Sequence, residues 1–569
     1  METPRAPDTP NPDERPINAD EAGLASDVGV REAEGFDPGE EFGAEPAPGR
    51  QGGRLARSTA FFSIATAASR VAGLAREVVA AGYYGISGPM SAFTIAFQVP
   101  NLIRALFADA ALQPAFVPVF TELLGKKAYK EAFRLASTML LLVTMVLGAI
   151  TALFVLLAPV VMPLFAPGFK DNQQLLDLTV ALSQVLFPIL VLLGVSGIVV
   201  GILNSYDRFG AFAISPLFWN LTIILVLVVL EPMFDGQDRI YAYAIGILVG
   251  TGVQLLIPGW DLRNTPFRFS LSFDWRNPRV RRVLVLMLPV TISLGLINFN
   301  LLINSFFGSL VSEQAPAAID KAFRIYQLPQ GIFSVAIATV LFPTLARYAN
   351  AGATDDLRAT MANGMRQILF VLVPAAAAIL VLSEPMIRLI YERGAFDPDE
   401  TEVVATALFW FAFSLPANGL FLLMTRTFFS LQRPWVPTWI ALGNLVLTAG
   451  AAWALYDLGV GGIVASTAIA TVASVVAQGV ILRRLLAGIE LGRLLSATIR
   501  ISVAAAGLAA ISWIVWDVLD EALGRGLVEQ IVSLSAGLGA GLAVYLSVAK
   551  LLRVAELEQM SRLLLRRGR

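Results

Sequence analysis

The sequence predicts an all-α polytopic membrane protein: about fourteen transmembrane helices, in two six-helix lobes plus two C-terminal helices. Three observations carry this. The 569 residues are 56% hydrophobic and only 15% charged, with mean hydropathy +0.68, too apolar for a soluble chain of this size. Apolar runs of the roughly 20 residues needed to cross a bilayer recur from residue 58 to residue 550. The connections between them alternate in charge along the whole chain.

Residues 1–50 precede the first run and differ in kind. They hold 13 Asp/Glu against 4 Arg and hardly any large apolar side chains, a composition that predicts a disordered acidic tail. A tail charge of −9 against a chain total of −1 leaves +8 for the remainder, so the near-neutral total hides a basic membrane domain. No basic stretch precedes a short apolar run with a small-residue cleavage site, so no removable signal peptide is expected and the first membrane helix directs insertion.

The expected helices are 58–84, 88–109, 134–164, 175–203, 211–231, 240–260, 282–308, 319–347, 365–391, 402–430, 436–456, 460–485, 496–518 and 528–550. Lys126, Lys127, Lys130 and Arg134 follow the second. Arg276, Arg279, Arg281 and Arg282 precede the seventh, and Arg483, Arg484, Arg493 and Arg500 follow the twelfth. Basic loops of this kind are retained in the cytoplasm. The opposite loops, 86–89, 231–238, 313–320, 397–402 and 517–521, are acidic or nearly uncharged. A missed helix would invert this bias downstream, and none does. An even count then puts both termini in the cytoplasm, with 551–569 as a basic tail.

Two stretches read as versions of one unit: FQVPNLIRALFADAALQPAFVPVF from Phe97 and FRIYQLPQGIFSVAIATVLFPTL from Phe323. Each opens near a proline (Pro100, Pro329) and reaches a second (Pro118, Pro343), with separations that differ by about one helical turn. The alternative is that proline and glycine are simply frequent in membrane helices. Read as a repeat, it gives an N-terminal lobe over 58–260, a C-terminal lobe over 282–485, and an addition at 496–550. Transporters built from repeats place the substrate site between the halves.

The chain has no Cys and no His, which excludes disulfides, thiolate chemistry and imidazole ligands or relays. Nothing resembles a Walker A loop, so ATP hydrolysis is not expected. The 46 glycines read mainly as helix packing and the prolines inside apolar segments as kinks.

Arginines inside apolar segments carry the functional signal. One at the centre of a membrane helix costs roughly 2.5–3.5 kcal/mol on insertion scales, so such residues generally face a polar cavity or an anionic ligand. Arg70 and Arg76, in SRVAGLARE, lie about 120° apart around the first helix and can both border a wide cavity. Glu77 offers two other readings: a pair with Arg70, or a helix end near an interface where Arg76 snorkels. Arg104, in PNLIRALFAD, stands five residues before Asp109; its alternative is an interfacial anchor or an ion pair. Arg324, in DKAFRIYQLPQG, follows Asp320 and Lys321; its alternative is an exposed loop ion pair. Four arginines from both halves suit a pyrophosphate, whose oxygens guanidinium binds bidentately at any physiological pH. Arg388 and Arg426, near expected helix ends, read instead as snorkelling or positive-inside residues.

In this order, SRVAGLARE, AFTIAFQVPNLIRALFADAALQPAFVPVF, AFRIYQLPQGIFSVAIATVLFPTL and ERGAFDPDET at Glu392 to Thr401 closely resemble the MurJ/MviN lipid II flippases. That family belongs to the multidrug/oligosaccharidyl-lipid/polysaccharide exporter superfamily, and the resemblance covers about residues 58–550. It implies fourteen helices, two lobes around a central cavity, and a groove for the lipid tail made with 496–550. The family's cavity arginines match Arg70, Arg76, Arg104 and Arg324. Departures are Ala105 for a second arginine, Ser91 for a common Asp, Asp109 for a Glu, and Asn304 at a frequently acidic position linked to sodium in some members. The last speaks against sodium coupling.

The resemblance therefore implies a flippase that moves lipid II from the inner to the outer leaflet of the bacterial cytoplasmic membrane by alternating access; the negative charge of such a substrate lets the membrane potential drive the movement. No bond is broken, so it is not an enzyme, and no cofactor or metal is expected. Arg70, Arg76, Arg104 and Arg324 would bind substrate, with Glu77, Ser91, Asp109 and Asn304 in support. Expected partners are lipid II, membrane lipids, and wall-synthesis or division proteins through residues 1–50, with no nucleic acid. The rivals are a flippase for another polyprenyl-pyrophosphate-linked oligosaccharide, a drug/cation antiporter, against which the arginine excess speaks, and a non-transporting membrane scaffold acting through its acidic tail.

Overall fold

The computed structural model describes residues 51–107, 112–271 and 273–558, and the side-chain surroundings of these except at 51–63, 104–107, 112–114, 286 and 288–298. The acidic segment 1–50, Asp109 and the last part of the basic tail, 559–569, lie outside the described residues. Two compact units divide at Ala60. Of the first, residues 51–60 are described and are helical; the second, Phe61–Arg569, carries the rest of the fold.

No strand occurs among the described residues, and the chain is a succession of helices. The first four expected segments become α1 (Gln51–Tyr84), α2 (Gly88–Phe107) with α3 (Leu112–Gly125), α4 (Tyr129–Phe165), and α5 (Gln173–Leu186) with α6 (Ile189–Asn204). The second expected segment stops at 109, but helix resumes in α3 and runs to Gly125. The Leu-Gln-Pro-Ala-Phe-Val-Pro-Val-Phe stretch is apolar enough to continue, and Lys126 and Lys127 end it. The α5–α6 break falls at Pro188, which has no N–H to donate to Gln184.

Further along come α7 (Gly210–Leu230), α8 (Tyr241–Asp261), α9 (Pro278–Val311), α10 (Ala315–Pro329), α11 (Val335–Asn350), α12 (Thr354–Tyr391), α13 (Pro398–Ser430), α14 (Trp435–Leu455), α15 (Gly459–Leu485), α16 (Leu491–Leu523) and α17 (Leu527–Leu551). Helix starts follow local chemistry. Asn277 and Asp397 accept from the backbone N–H groups of Arg279 and Glu400 at 3.0 and 2.9 Å, each with proline as the first helical residue. Between α10 and α11 the chain passes through a π-helical turn, Gln330–Ser334, immediately after Pro329.

Among the described residues, ten stretches are long and apolar enough to cross a membrane by length and composition, one of which, 435–485, runs through both α14 and α15. The other three expected segments are α1, whose Arg70, Arg76 and Glu77 fall within eight residues, α2–α3 and α9. The chain is a multi-pass, all-helical membrane protein. Its largest apolar core runs from Ala80 on α1 to Val554 and takes in residues of every helix except α3.

Segments far apart in the chain meet at the ends that carry the acidic loops. The Ala395 N–H donates to the Gly82 carbonyl at 2.8 Å, Ile86 N–H to Glu400 Oε1 at 3.0 Å, Gly168 N–H to Ser309 Oγ at 3.2 Å, and Asn172 Nδ2 to Glu313 Oε1 at 3.0 Å. Gly85 is required there: its φ is +56°, and a Cβ would sit 2.2 Å from a Glu400 carboxylate oxygen.

Candidate functional site

A cavity of about 510 Å³ is lined from α1 by Arg70, Arg76 and Glu77 and from α10 by Arg324, with Gln330 of the π-turn and Tyr391 at the end of α12. Residues more than 240 positions apart thus share one wall. Arg70, half a dozen residues before Arg76, is exposed, whereas Arg76 and Glu77 are 6% and 4% accessible.

The position of Arg76 follows from how α1 packs. At Gly73 the helix approaches Asn220 of α7, whose side chain donates to the carbonyls of Ser69 and Pro216 at 3.3 and 2.9 Å. One turn on, the Arg76 guanidinium lies 4.7 Å over the Trp219 ring, a stacking that partly offsets its desolvation. Its Nη2 bonds Glu77 at 2.5 Å, while Nε and Nη1 are buried without a hydrogen-bond partner among the described residues. Buried donors of this kind are costly to leave unmade, and they lie on the wall of a cavity.

Glu77 is the hinge of the charge arrangement. The same Oε1 also meets Arg324 Nη1 at 3.2 Å, and Arg324 Nε reaches Asp320, one turn earlier on α10, at 2.9 Å. The carboxylate therefore bridges α1 and α10. It neither pairs with Arg70 nor marks a helix end, since α1 continues to Tyr84, and Arg76 does not snorkel. Arg324 is half-buried rather than an exposed loop residue.

Behind Arg324, Lys321 is fully buried, its Nζ 5.3 Å from the Tyr391 ring centroid and without a hydrogen bond among the described residues. The cavity wall itself carries the cations Arg70, Arg76 and Arg324 against one carboxylate, Glu77, with Asp320 bonded to Arg324 and Lys321 behind it, close to Glu77, Asp320 and Glu400. The excess is positive and held in a low-dielectric setting, where it attracts an anion strongly. Sequence reasoning misses Lys321, because its neighbours Asp320 and Arg324 give it the look of a surface charge run.

The remaining candidates fall elsewhere. Arg104 lies on α2, but its side chain is outside those described. Ser91 is fully buried, and its hydroxyl accepts from the Ala317 N–H at 3.2 Å, capping the first turn of α10 from another helix. Asn304 borders a second, uncharged cavity of about 240 Å³ with Asn300, Asn418, Asn444 and Thr467, and accepts from Thr467 Oγ1 at 3.1 Å. No group of three or more Asp/Glu placed to hold a metal occurs among the described residues. Arg388, expected to snorkel, is instead buried in an ion pair with Asp520 that ties α12 to α16.

Comparison with known proteins agrees with this architecture. The family model "Lipid II flippase MurJ" matches residues 80–531. A probable lipid II flippase MurJ of Rhizobium meliloti (strain 1021) is 34% identical over 504 residues, covering 85% of this chain and 91% of the relative. The lipid II flippase MurJ of Burkholderia cenocepacia is 28% identical over 387 residues, 67% of this chain and 75% of the relative. Two solved structures share the fold. One is a lipid II flippase MurJ in an inward closed conformation (TM-score 0.70, 22% identity, 86% of this chain and 98% of that one). The other is an inward-facing multidrug resistance MATE family transporter of the MOP superfamily (TM-score 0.60, 15% identity, 74% and 94%). With the family model spanning most of the membrane helices and a relative above 30% identity along nearly its whole length, the chain belongs to the MurJ lipid II flippase family.

Proposed function

We infer that this protein moves lipid II across the bacterial cytoplasmic membrane by alternating access, with the cavity between α1 and α10 receiving the pyrophosphate. The observation that carries this reading is the convergence of Arg70, Arg76 and Arg324 on one cavity whose wall holds unpaired guanidinium donors. Phosphate oxygens satisfy such donors bidentately, and a pyrophosphate offers enough of them to engage arginines from both helices. The family resemblance assigns Arg104, on α2, to the same set.

Glu77 engages both Arg76 and Arg324. An incoming diphosphate competes for the same donors, loosening the bridge between α1 and α10 as it binds. The lobes are 58–260 and 282–485, with α16 and α17 adding a groove for the polyprenyl chain, so that the headgroup crosses in the cavity while the tail stays in lipid. The basic loops face the cytoplasm, as do both termini. No covalent bond changes, so the protein acts as a transporter and not as an enzyme.

The test is expression in bacteria depleted of their own lipid II flippase, with lipid II at the outer leaflet as readout. The wild-type chain restores it, while Arg70→Ala, Arg76→Ala and Arg324→Ala, present at normal levels in the membrane, do not. Rescue by all three variants would remove the arginine mechanism, and no rescue by the wild type would redirect the substrate to another lipid-linked sugar.

A further inference from the structure

A second basic cavity lies far along the chain from the first. It measures about 330 Å³ and is lined by Arg366 of α12, Arg493, Ser496 and Arg500 of α16, and Arg553 and Glu556 beyond the end of α17. Four arginines thus face one carboxylate. Glu556 is buried and engaged by Arg366 at 3.0 Å, so arginines on the cavity wall outnumber carboxylates by three. Arg500 Nη1 donates weakly to the Leu552 carbonyl at 3.4 Å, and Arg493 meets Glu490 at 3.4 Å.

Two further features point to an anionic occupant. Arg553 adopts the left-handed conformation, φ 52°, at the position after α17 where glycine is usual. An arginine there is held in a strained backbone that presents its side chain to the cavity. Arg493 lies in the first turn of the 33-residue helix α16, whose amino end adds positive potential.

We propose that this cavity is a separate phosphate-binding site and that it takes the headgroup of an anionic phospholipid. The fork geometry of guanidinium favours phosphate over a lone carboxylate. The cavity sits where α16 begins and α17 ends, at one end of two helices long and apolar enough to cross a membrane, which is headgroup level. Leu491, Leu495, Ile499 and Leu551, on the same helix ends, are all exposed large apolar side chains suited to acyl chains. After Glu556 the sequence reads LEQMSRLLLRRGR, four more arginines and one acid, Glu558. Basic pockets between membrane helices beside polybasic segments are where anionic headgroups bind. The proposal does not depend on what the central cavity carries.

The experiment is native mass spectrometry of the full-length protein titrated with phosphatidylglycerol, phosphatidylcholine or inorganic phosphate. It is run in the wild type and in an Arg70→Ala, Arg324→Ala background that removes anion binding in the central cavity. In both, phosphatidylglycerol binds more tightly than phosphatidylcholine. Arg493→Gln and Arg553→Gln each weaken it about fivefold, and the triple variant with Arg500→Gln on the order of a hundredfold. Binding of inorganic phosphate with the same arginine dependence, but no phosphatidylglycerol binding, would keep the phosphate site and replace its source by a soluble ion. Binding of both ligands to the two exposed single variants at wild-type strength overturns the proposal, whatever the fate of the triple variant.

Discussion

At the scale of single residues, Glu77 and Lys321 separate stability from function. Glu77 is the acid that Arg76 is paired with, and both side chains are buried. Removing one partner of a buried pair leaves the other charge uncompensated, at a cost of about 3–5 kcal/mol. Glu77→Gln is therefore expected to lower the thermal midpoint of the purified protein sharply, and Arg76→Ala with Glu77→Gln to cost less than the sum of the two. Lys321 behaves oppositely. Its ammonium has no hydrogen bond to lose, and relief of its desolvation, the largest influence on it, offsets the lost attraction to Glu77, Asp320 and Glu400. Lys321→Met should leave the midpoint unchanged or higher while transport falls several-fold, because positive charge beside the cavity is lost. A parallel loss of both would make Lys321 structural. Of this site, the arginines are legible in the sequence because each breaks an apolar run. What they pair with is not, since the Glu77 to Arg324 contact joins residues that only the tertiary fold brings together.

At the scale of elements, the fourteen expected segments all correspond to helices, since each is a long apolar run bounded by charge. Interruptions are harder to read. Pro188 splits α5 from α6, whereas Pro216 inside α7 and Pro416 inside α13 do not end their helices, and sequence alone does not distinguish these cases. Nor does it distinguish Arg388, paired with Asp520 across α12 and α16, from an arginine that snorkels. Arg388→Ala is expected to loosen α16 from α12 and lower the thermal midpoint, and Arg388→Ala with Asp520→Ala to recover part of the loss. The connection between α12 and α13 carries its own prediction. Gly394 has φ +65°, and a Cβ would lie 2.3 Å from the Gly82 carbonyl oxygen. Gly394→Ala should weaken the closure made by Ala395 on Gly82 and by Glu400 on Ile86. The chain has no native cysteine, so Ser91→Cys, buried in this state, reports directly. Its labelling by an impermeant maleimide from outside should rise in the Gly394→Ala background, and unchanged labelling would mean that this contact does not hold the end shut.

At the scale of the whole molecule, the proposed reading has a basic cavity take an anionic substrate across a field. An inside-negative potential favours outward movement of an anion by about 2.3 kcal/mol per charge per 100 mV, so two charges yield roughly 4–5 kcal/mol, provided the arginines do not cross the field with the substrate. Collapse of the potential should slow outward transport without changing lipid II affinity; unchanged transport would require another source of energy. The central claim is that the arginines of α1 and α10 hold the pyrophosphate, and equilibrium binding in lipid nanodiscs tests it most directly. Lipid II and an analogue with a single phosphate are compared on the wild type, Arg70→Ala and Arg324→Ala. Each variant is predicted to weaken lipid II by about tenfold or more, while the single-phosphate analogue loses much less. Equal losses for both ligands, or wild-type affinity in the variants, would contradict the claim.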